Sequence, residues 1–583
     1  MLHCWASTTY FCQVVETALV GALLVMAYVR PTIGSGYFEI IESGLSALAN
    51  KPRCTFFLLG FGVIAARLVL LPLLPLPRAS VHDEFSYLLA AQTFASGRIT
   101  NEPHAMWPHF ESIHILQQPT YMSMYGFGQG LFLAIGLRLT GVAWAGVVLS
   151  VALLCAVLFW MLKAWAPAPW ALAGSFLVAA RWGLVSYWMN SYWGGAVPAL
   201  GGALVLGSLP RLLRNGRARD SFLLGLGLAL LCNSRPYEGS VVSGISIAVF
   251  LWRAISRGQL HRLRTRTVAI PLCSVIVLTA AGMLTYNWRI TGHPTRLPYV
   301  EDRQQYAIAP LFVLGRPNPP PQYRTASLRR VYEEELALYW KARSLLGFPE
   351  VFRKLKNIWI FFLGPLLSIP FFSFCSSVRA GRANKDRKFE VRLTALVLIA
   401  ALAAMLQVVW FYPHYAAPAF AAFVAALTMG MRELRAWTWK GKPSGLFLCR
   451  TIPVACLLMS AIPIGAQRLG WELSYWPLQW AIGTPDGIHP PGLAADLLAN
   501  GRKALVFVQY SPDHDIGDEW VYNSADIDSS PVVWARHISP ESDAALVRYF
   551  SQRTAWELQP DQQPLKPTRY PAAPEKRGAK GSN

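Results

Sequence analysis

The chain has 583 residues, of which 54% are hydrophobic and 15% are charged. A soluble globular protein carries about a quarter charged residues, so the composition excludes an ordinary soluble protein and indicates a membrane protein. The formal net charge of +21 does not indicate nucleic-acid binding, because lysine and arginine are concentrated in short loops between apolar runs. That distribution is typical of anchoring at the cytoplasmic face of a membrane.

Apolar runs predict about twelve membrane-spanning helices, since a helix needs about 20 apolar residues to cross a bilayer. The first run has no lysine or arginine before it, so we interpret it as a retained span rather than a signal peptide. The run at 221–233 is short for a span. The predicted spans are centred near 10–29, 55–75, 142–162, 169–187, 195–210, 221–233, 240–252, 267–286, 357–375, 392–411, 415–431 and 451–467.

The loops between these runs alternate in charge. The strongly basic loops lie at 211–219, 253–266, 379–392 and 432–442. The positive-inside rule places such loops in the cytoplasm. Two long loops, 78–140 and 287–353, and the segment from residue 468 then lie on the outer face. The polar and aromatic segments of the chain therefore converge on one side of the membrane.

Two adjacent carboxylates, Asp83 and Glu84, stand just beyond the second predicted span, six and seven residues after Pro77. One interpretation is structural, with an acid in the first turn of a helix over 84–96, where the helix dipole favours negative charge. The other is catalytic, with a general base or a metal ligand at the membrane surface, where low-dielectric surroundings raise a carboxyl pKa. Both interpretations can hold together.

The rest of the first outer loop is dense in polar side chains. The candidate ligands for a substrate or a metal ion are His109, Glu111, His114 and Gln118. Histidine and carboxylate are standard ligands of divalent metals, although the chain has no HExxH motif. A divalent metal cofactor and a loop whose histidines contact only solvent or backbone are both open alternatives.

Cationic side chains stand at the outer ends of three further spans. Arg235, Arg289 and His414 could together surround a phosphate, for which the planar fork of arginine is well suited. An ion pair between Arg235 and Glu238 is the alternative at that position. Tyr192 and Trp193, near another outer end, fit either stacking on a sugar ring or the aromatic belt of a membrane protein.

The C-terminal segment is predicted to form a separate small α/β unit. Strand patterns occur at 503–511, 531–537 and 554–560, and a helix pattern at 539–553 opens with Ser and Pro. We therefore predict an all-α polytopic membrane protein with amphipathic juxtamembrane helices in its first outer loop and a small C-terminal α/β domain. The predicted divisions are an N-terminal span and loop at 1–54, a transmembrane catalytic domain at 55–467, the α/β domain at 468–563 and a disordered tail at 564–583.

Several stretches together resemble the GT-C glycosyltransferases, in particular the group of protein O-mannosyltransferases and aminoarabinose transferases (glycosyltransferase 39-like). They are "HDEFSYLLAAQTFASGRITN" after a span, the long loop that follows, "NSRPYEG" and "PHYAAP". The resemblance covers roughly residues 55–430. The chain departs from it at Tyr125–Gln129, where relatives often carry a Pro-rich turn.

The resemblance implies an inverting glycosyltransferase for hexosyl or pentosyl groups, with a polyprenyl-phosphate sugar as donor. By position, Asp83 would be the base that takes the acceptor proton, and Glu84 its neighbour or a metal ligand. The partners would be membrane lipids and a lipid, glycan or protein acceptor of the cell envelope. The expected location is a bacterial inner (plasma) membrane, with the site facing the periplasm or exterior. The alternative function is a transporter or flippase of lipid-linked sugars, which would place charged or broken helices near the membrane midplane.

Overall fold

A computed structural model describes residues 2–263, 265–344, 348–380, 388–468 and 488–571. Within these ranges the chain is mostly helical, with two small sheets. The helices are α1 Leu2–Val29, α2 Ser35–Ala49, α3 Pro52–Val69, α4 His82–Ala95, α5 Phe127–Thr140, α6 Trp144–Leu162, α7 Ala168–Val178, α8 Ala196–Asn215, α9 Ala218–Cys232, α10 Pro236–Ser256, α11 Leu260–Leu263, α12 Arg266–Thr291, α13 Pro298–Tyr306, α14 Ala326–Arg343, α15 Phe348–Ile358, α16 Gly364–Ala380, α17 Lys388–Gln407, α18 Phe420–Arg435, α19 Ser444–Arg468, α20 Pro491–Leu498 and α21 Pro540–Tyr549.

Ten helical segments among the described residues are long and apolar enough to cross a membrane, so the chain is a multi-pass membrane protein, as predicted. They are Cys12–Val29, Pro52–Val69, Trp144–Leu162, Ala196–Asn215, Pro236–Ser256, Arg266–Thr291, Phe348–Arg379, Lys388–Gln407, Pro413–Arg435 and Ser444–Ile462. The first of them lies in α1. Helices α4 and α5 occupy the first long loop.

Two of the twelve predicted spans, 169–187 and 221–233, are shorter helices. The first is α7, which passes into a π-helical turn over Ala179–Gly183. Beyond it, the Ser186 hydroxyl donates to the Trp182 carbonyl at 2.5 Å and the Asn190 amide to the Ser186 carbonyl at 3.0 Å. Such side-chain bonds compete with helical backbone bonds. The second is α9, whose 15 residues reach about 22 Å, short of the roughly 30 Å of a bilayer core.

The centre of the bundle is formed by α8 and the Pro413–Arg435 span, of which 89% and 94% are buried within the described chain. Small residues let these helices approach closely. A Cβ atom at Gly202 in α8 would lie 2.1 Å from the Pro418 carbonyl oxygen. Helix α12, by contrast, is only 6% buried, as expected for a helix at the lipid-facing edge.

An ion pair lies inside the membrane-spanning region. Arg181 Nη1 is 3.2 Å from Glu16 Oε1, and both side chains are almost completely buried. The same carboxylate oxygen accepts the Leu366 backbone N–H at 3.1 Å. The pair therefore ties α1 to the π-helical turn after α7 and to α16. The pair also explains why residue 364 is a glycine. A Cβ atom there would lie 2.7 Å from both the Arg181 guanidinium and the Glu16 carboxylate.

We expect Glu16→Gln to destabilise the protein by about 3–5 kcal/mol, because it leaves the Arg181 guanidinium buried without its counter-charge. Thermal unfolding of the purified protein in detergent measures the effect. Glu39→Gln is the matched control, since Glu39 is exposed. Equal melting temperatures for the two variants would contradict a structural role for the pair.

The C-terminal residues form the predicted small α/β unit. Strands β3 Ala504–Val508, β4 Val532–Arg536, β5 Thr554–Leu558 and β6 Thr568–Arg569 make one sheet in the order β4-β3-β5-β6. Strand β3 pairs in parallel with β4 and β5. Helix α21 connects β4 to β5, and its N-cap Ser539 side chain accepts the Ser542 backbone N–H. A two-stranded hairpin, β1 Ile115–Leu116 with β2 Met122–Ser123, lies in the first long loop.

The prediction of a disordered tail from residue 564 is wrong for its first part. Strand β6 pairs antiparallel with β5, and Tyr570 packs on Phe507 at a ring distance of 4.4 Å. The Tyr570 hydroxyl also donates to Asp543 at 2.9 Å. An edge strand and an aromatic anchor therefore order residues that composition alone assigned to a polar tail. Residues 572–583 lie outside the described ranges.

The α/β unit packs against α4 and the segment just before it. The Tyr522 ring stacks on Phe85 with centroids 4.1 Å apart and planes at 5°. The Ala525 backbone N–H donates to the Gln92 side chain at 2.9 Å, and the Ile488 N–H to the Ala79 carbonyl at 3.4 Å. These contacts hold the start of α4 between the helical bundle and the α/β unit.

Candidate active site

Asp83 lies in the first turn of α4, in the first long loop, 14 residues after the second membrane-spanning segment ends at Val69. Its Oδ1 atom accepts a hydrogen bond from the Tyr125 hydroxyl and lies 3.7 Å from His114 Nδ1. The side chain is 15% exposed. No described residue donates to Oδ2. One carboxylate oxygen is thus held in place, while the other is free to accept a proton.

Tyr125 is fixed from several directions. Its ring stacks on Tyr87 at 4.6 Å, and its carbonyl accepts the Tyr286 hydroxyl at 2.8 Å. Burial, with the nearby Asp83 charge, raises the Tyr125 pKa well above its usual value. The phenol therefore keeps its proton, and that proton is directed to Asp83.

His114 completes this group. Its Nδ1 atom is 3.2 Å from the Tyr125 oxygen, and since the single phenol proton goes to Asp83, we assign Nδ1 of His114 as the donor in that contact. Burial lowers the pKa of His114, and the Asp83 charge only partly opposes this. A neutral imidazole therefore lies beside the carboxylate. We call Asp83, Tyr125 and His114 the carboxylate triad.

Glu84 points away from the triad and caps the helix. Its Oε2 accepts the backbone N–H groups of Ser80 at 2.9 Å and Val81 at 3.2 Å. Its Oε1 accepts the N–H of Tyr192 at 2.8 Å. The carboxylate therefore joins α4 to the loop before α8. Burial raises the Glu84 pKa from 4.5 to about 7, although these backbone N–H groups oppose the shift.

We expect Glu84→Gln to destabilise the protein by about 1–3 kcal/mol, because the amide NH₂ would face buried N–H donors. The effect depends on pH. The folded state binds the Glu84 proton more tightly than the unfolded chain does. The resulting stabilisation is therefore present below about pH 4.5 and lost as the pH rises through about 7.

Melting temperatures of the wild type and Glu84→Gln, measured from about pH 5 to about pH 8, test this expectation. The stability advantage of the wild type should shrink as the pH rises. Glu102→Gln, at an exposed position, is the control and should match the wild type at each pH. A wild-type advantage that grows with pH would contradict the assigned shift.

Arg235 immediately precedes α10 and lies in the same region as the triad. Its guanidinium carbon is 3.9 Å from the centroid of the Tyr415 ring. Tyr415 interacts electrostatically with both Arg235 and Asp83. Tyr125 also interacts electrostatically with Arg235. The cation and the carboxylate therefore flank one group of tyrosines. No described residue accepts a hydrogen bond from the Arg235 guanidinium.

His414 lies close to this region but is enclosed in an aromatic cluster. It is 1% exposed, its Nδ1 contacts the Tyr187 hydroxyl at 3.1 Å, and its ring lies 4.6 Å from that of Trp193. Its Nε2 has no described partner. His414 and Trp193 therefore belong to an aromatic cluster that reaches Arg235 through Tyr415, whose ring lies 5.0 Å from that of His414.

Three other predicted site residues have different surroundings. Arg289 is exposed near the end of α12, and no contact joins it to the described residues of the triad. Glu238 is buried in the first turn of α10, near Arg235. The Tyr192 hydroxyl donates to the Pro77 carbonyl at 3.0 Å. Tyr192 therefore adds to the link that Glu84 makes between α4 and the loop before α8.

The polar residues of the first loop hold the loop in place. His109 contacts the Arg536 carbonyl at 2.9 Å and the Ser542 hydroxyl at 2.8 Å, both in the α/β unit. Glu111 accepts hydrogen bonds from Arg324 at 2.9 Å and Tyr306 at 3.1 Å. The Gln118 carbonyl accepts the Gln305 amide at 2.9 Å. Of these predicted candidates, only His114 is brought to Asp83.

The main residues that the sequence did not single out are tyrosines. Tyr125, Tyr87 and Tyr415 lie between the carboxylate and the cation, and Tyr522 of the α/β unit contacts the neighbouring His82 at 2.9 Å. Tyr87 and Tyr415 fall in the stretches that carry the family resemblance, and Tyr125 in the glycine-rich stretch where the chain departs from it. Taken singly, such tyrosines look like ordinary interfacial aromatics.

A divalent metal was an open alternative for the polar residues of this region. Among the described residues no group of three His, Cys, Asp or Glu side chains could hold a metal ion. Asp83 and His114 lie together, but Glu84 is bonded to backbone N–H groups and His82 to Tyr522. The side chains of the described residues therefore do not fit a protein-built divalent site.

Comparison with known proteins returns matches only among solved structures. No protein-family model and no curated protein matches the chain. ArnT from Cupriavidus metallidurans bound to undecaprenyl phosphate shares 12% identity at a TM-score of 0.46, covering 86% of this chain and 92% of that one. The apo form of that ArnT gives 13% identity, a TM-score of 0.47 and coverages of 85% and 92%.

The oligosaccharyltransferase of Archaeoglobus fulgidus in its apo form is also similar. It shares 11% identity at a TM-score of 0.41, with 79% of this chain and 62% of that chain covered. All three TM-scores lie below 0.5.

Proposed function

We propose that the protein is a membrane glycosyltransferase that moves a sugar from a polyprenyl-phosphate donor to an acceptor, with inversion at the anomeric carbon. The observation that supports this most strongly is the carboxylate triad with Arg235 beside it. A held carboxylate with one free oxygen suits proton removal from an acceptor. A guanidinium without a described acceptor suits a phosphate.

In the proposed reaction, the acceptor hydroxyl or amine gives its proton to Asp83 Oδ2 as it attacks the anomeric carbon. The new bond joins the acceptor atom to that carbon. The bond between the carbon and the phosphate oxygen breaks with its electron pair, so that polyprenyl phosphate leaves. Arg235 stabilises the charge that develops on this leaving group.

Tyr125 and His114 act through Asp83. The Tyr125 hydroxyl donates a hydrogen bond to Oδ1 of Asp83. Oδ2 is therefore the oxygen that would face the acceptor. The neutral imidazole of His114 donates to the Tyr125 oxygen and limits its rotation. Because Asp83 lies in the first long loop, soon after the second membrane-spanning segment, we place the proposed site near the membrane surface, within reach of a lipid-linked donor. The positive-inside rule places that surface outside the cytoplasm.

The experiment that tests this function uses purified full-length protein and a panel of polyprenyl-phosphate hexoses and pentoses, each with and without a chelator. We expect release of polyprenyl phosphate with at least one donor when lipid, glycan or peptide acceptors are present. Comparing polyprenyl phosphate release with and without the chelator shows whether a metal ion takes part in the reaction.

Reconstituted vesicles distinguish the alternative of a flippase. A fluorescent lipid-linked sugar that crosses the bilayer intact, with no polyprenyl phosphate released from any donor, would contradict the proposed transferase. Release of polyprenyl phosphate without movement of the intact donor would support it.

A further inference from the structure

A cavity of about 210 Å³ lies at the end of the helical bundle opposite to Asp83. It is formed where α6, α8 and α10 end and α17 begins. Arg235 precedes the first residue of α10, and Arg253 lies in its last turn, so the two guanidinium groups belong to opposite ends of a helix about 27 Å apart along the axis. The residues that line the cavity and matter here are Trp165, Arg214, Phe250, Arg253, Arg257 and Glu390.

The cavity has an excess of positive charge. Three guanidinium groups, from Arg214, Arg253 and Arg257, face it together with the single carboxylate of Glu390. The Arg214 side chain donates to the Ala164 carbonyl. No hydrogen bond or ion pair to a described residue engages the guanidinium groups of Arg253 and Arg257. Two cationic donor groups are therefore available to a ligand.

Aromatic rings give this charged cavity a defined shape. The Arg253 guanidinium carbon lies 3.6 Å from the centroid of Phe389, and Phe389 packs edge-to-face on Phe250 at 5.4 Å. Stacking fixes the plane of the guanidinium and leaves its edge free for hydrogen bonds. Trp165 adds a further apolar wall. Arg253 is half-buried by these contacts, whereas Arg214 and Arg257 reach the cavity from exposed positions.

Glu390 adds a second requirement. Its carboxylate interacts electrostatically with Arg253, and its Oε2 atom is buried and has no described hydrogen-bond partner. A buried carboxylate oxygen without a donor is costly. A ligand that completes this site must therefore present an anionic group to the arginines and a hydrogen-bond donor to Glu390.

We propose that this cavity binds a phosphodiester headgroup whose alcohol moiety carries an ammonium or hydroxyl donor. The phosphate lies against Arg253 and Arg257, and the donor reaches Glu390. About 210 Å³ is several times the roughly 30 Å³ that one water occupies in the liquid, so a headgroup of this size fits. Basic pockets between membrane helices bind anionic headgroups in the same way. A phospholipid and a soluble phosphodiester share this chemistry.

The test uses purified full-length protein in neutral detergent and native mass spectrometry with dioctanoyl phosphatidylethanolamine, phosphatidylglycerol and phosphatidylcholine. We expect the first two to bind at least about tenfold more tightly than phosphatidylcholine, whose quaternary ammonium cannot donate. Arg253→Gln/Arg257→Gln should weaken their binding by about tenfold or more. Glu390→Gln should weaken phosphatidylethanolamine more than phosphatidylglycerol, because it removes the counter-charge of the ammonium.

Arg217→Gln/Arg219→Gln is the matched control, since both arginines are exposed outside the cavity, and it should bind like the wild type. Glycerophosphoethanolamine is the soluble competitor. Displacement of the lipid at similar concentrations assigns the site to soluble phosphodiesters, and failure to displace it assigns the site to a lipid. Unchanged lipid binding by the cavity variant, or equal binding of phosphatidylcholine, would overturn the proposal. A melting temperature close to the wild-type value shows that the variant is folded.

Discussion

Replacing Asp83 with asparagine is expected to lower the rate of sugar transfer by about 10²- to 10⁴-fold, the usual contribution of a general base. Asparagine keeps the size of the side chain and can still accept the Tyr125 hydroxyl hydrogen bond. It cannot take the acceptor proton. The loss should therefore appear in kcat, with the melting temperature near that of the wild type. Release of polyprenyl phosphate under donor saturation is the measurement.

Asp513→Asn, at an exposed position in the α/β unit, is the control for a change of one carboxylate. Tyr125→Phe provides a graded comparison, because it frees Oδ1 without removing the base. It should reduce kcat less than Asp83→Asn does. Undiminished transfer by correctly inserted Asp83→Asn protein would rule out the proposed base.

Arg235→Gln is expected to reduce kcat/KM by about 10²- to 10³-fold, the range found when a donor to a developing anionic charge is removed. Because the guanidinium would hold the phosphate before and during transfer, KM for the donor should rise as kcat falls. Arg235→Lys keeps the charge without the planar fork, so it should recover part of the loss. Initial rates over a range of donor concentrations separate the two constants.

Arg289→Gln tests whether Arg289 helps to hold the phosphate, as the sequence predicted, or whether Arg235 does so without it, as the structure indicates. Both arginines stand at the ends of spans in the sequence, but Arg289 is exposed and apart from the triad. We expect Arg289→Gln to change kcat/KM by less than about threefold, the scale of a remote charge screened by salt. A loss equal to that of Arg235→Gln would mean that the phosphate is held from both helices.

Much of the architecture followed from hydrophobic run length. Each of the ten helical segments among the described residues that are long enough to cross a membrane coincides with one of the predicted spans. The two predicted spans without such a counterpart are α7, after which Ser186 and Asn190 make side-chain bonds to the backbone, and α9, which has only 15 residues. The β-branched runs of the C-terminal unit identified its strands in the same direct way.

The site was predictable only in part, because charge and sequence position do not give side-chain direction. Asp83 and Glu84 are neighbours in the first turn of α4, yet one faces Tyr125 and the other the backbone of the preceding loop. Arg235 and Arg289 both stand at predicted span ends, but Arg235 precedes α10, whereas Arg289 is exposed in the last turn of α12, a helix that is only 6% buried. His109 and Glu111 looked like ligands because they are polar, whereas their partners come from segments about 200 to 430 residues away.

Binding of polyprenyl phosphate to the wild type, Asp83→Asn and Arg235→Gln, measured side by side in detergent or nanodiscs, tests most directly whether proton removal and phosphate binding are divided between these two side chains. We expect Asp83→Asn to bind the lipid phosphate at least as tightly as the wild type while failing to transfer sugar. Arg235→Gln should bind it at least about tenfold more weakly, as expected for the loss of a charged hydrogen bond. Equal binding by Arg235→Gln, or loss of binding in Asp83→Asn, would contradict that division of roles.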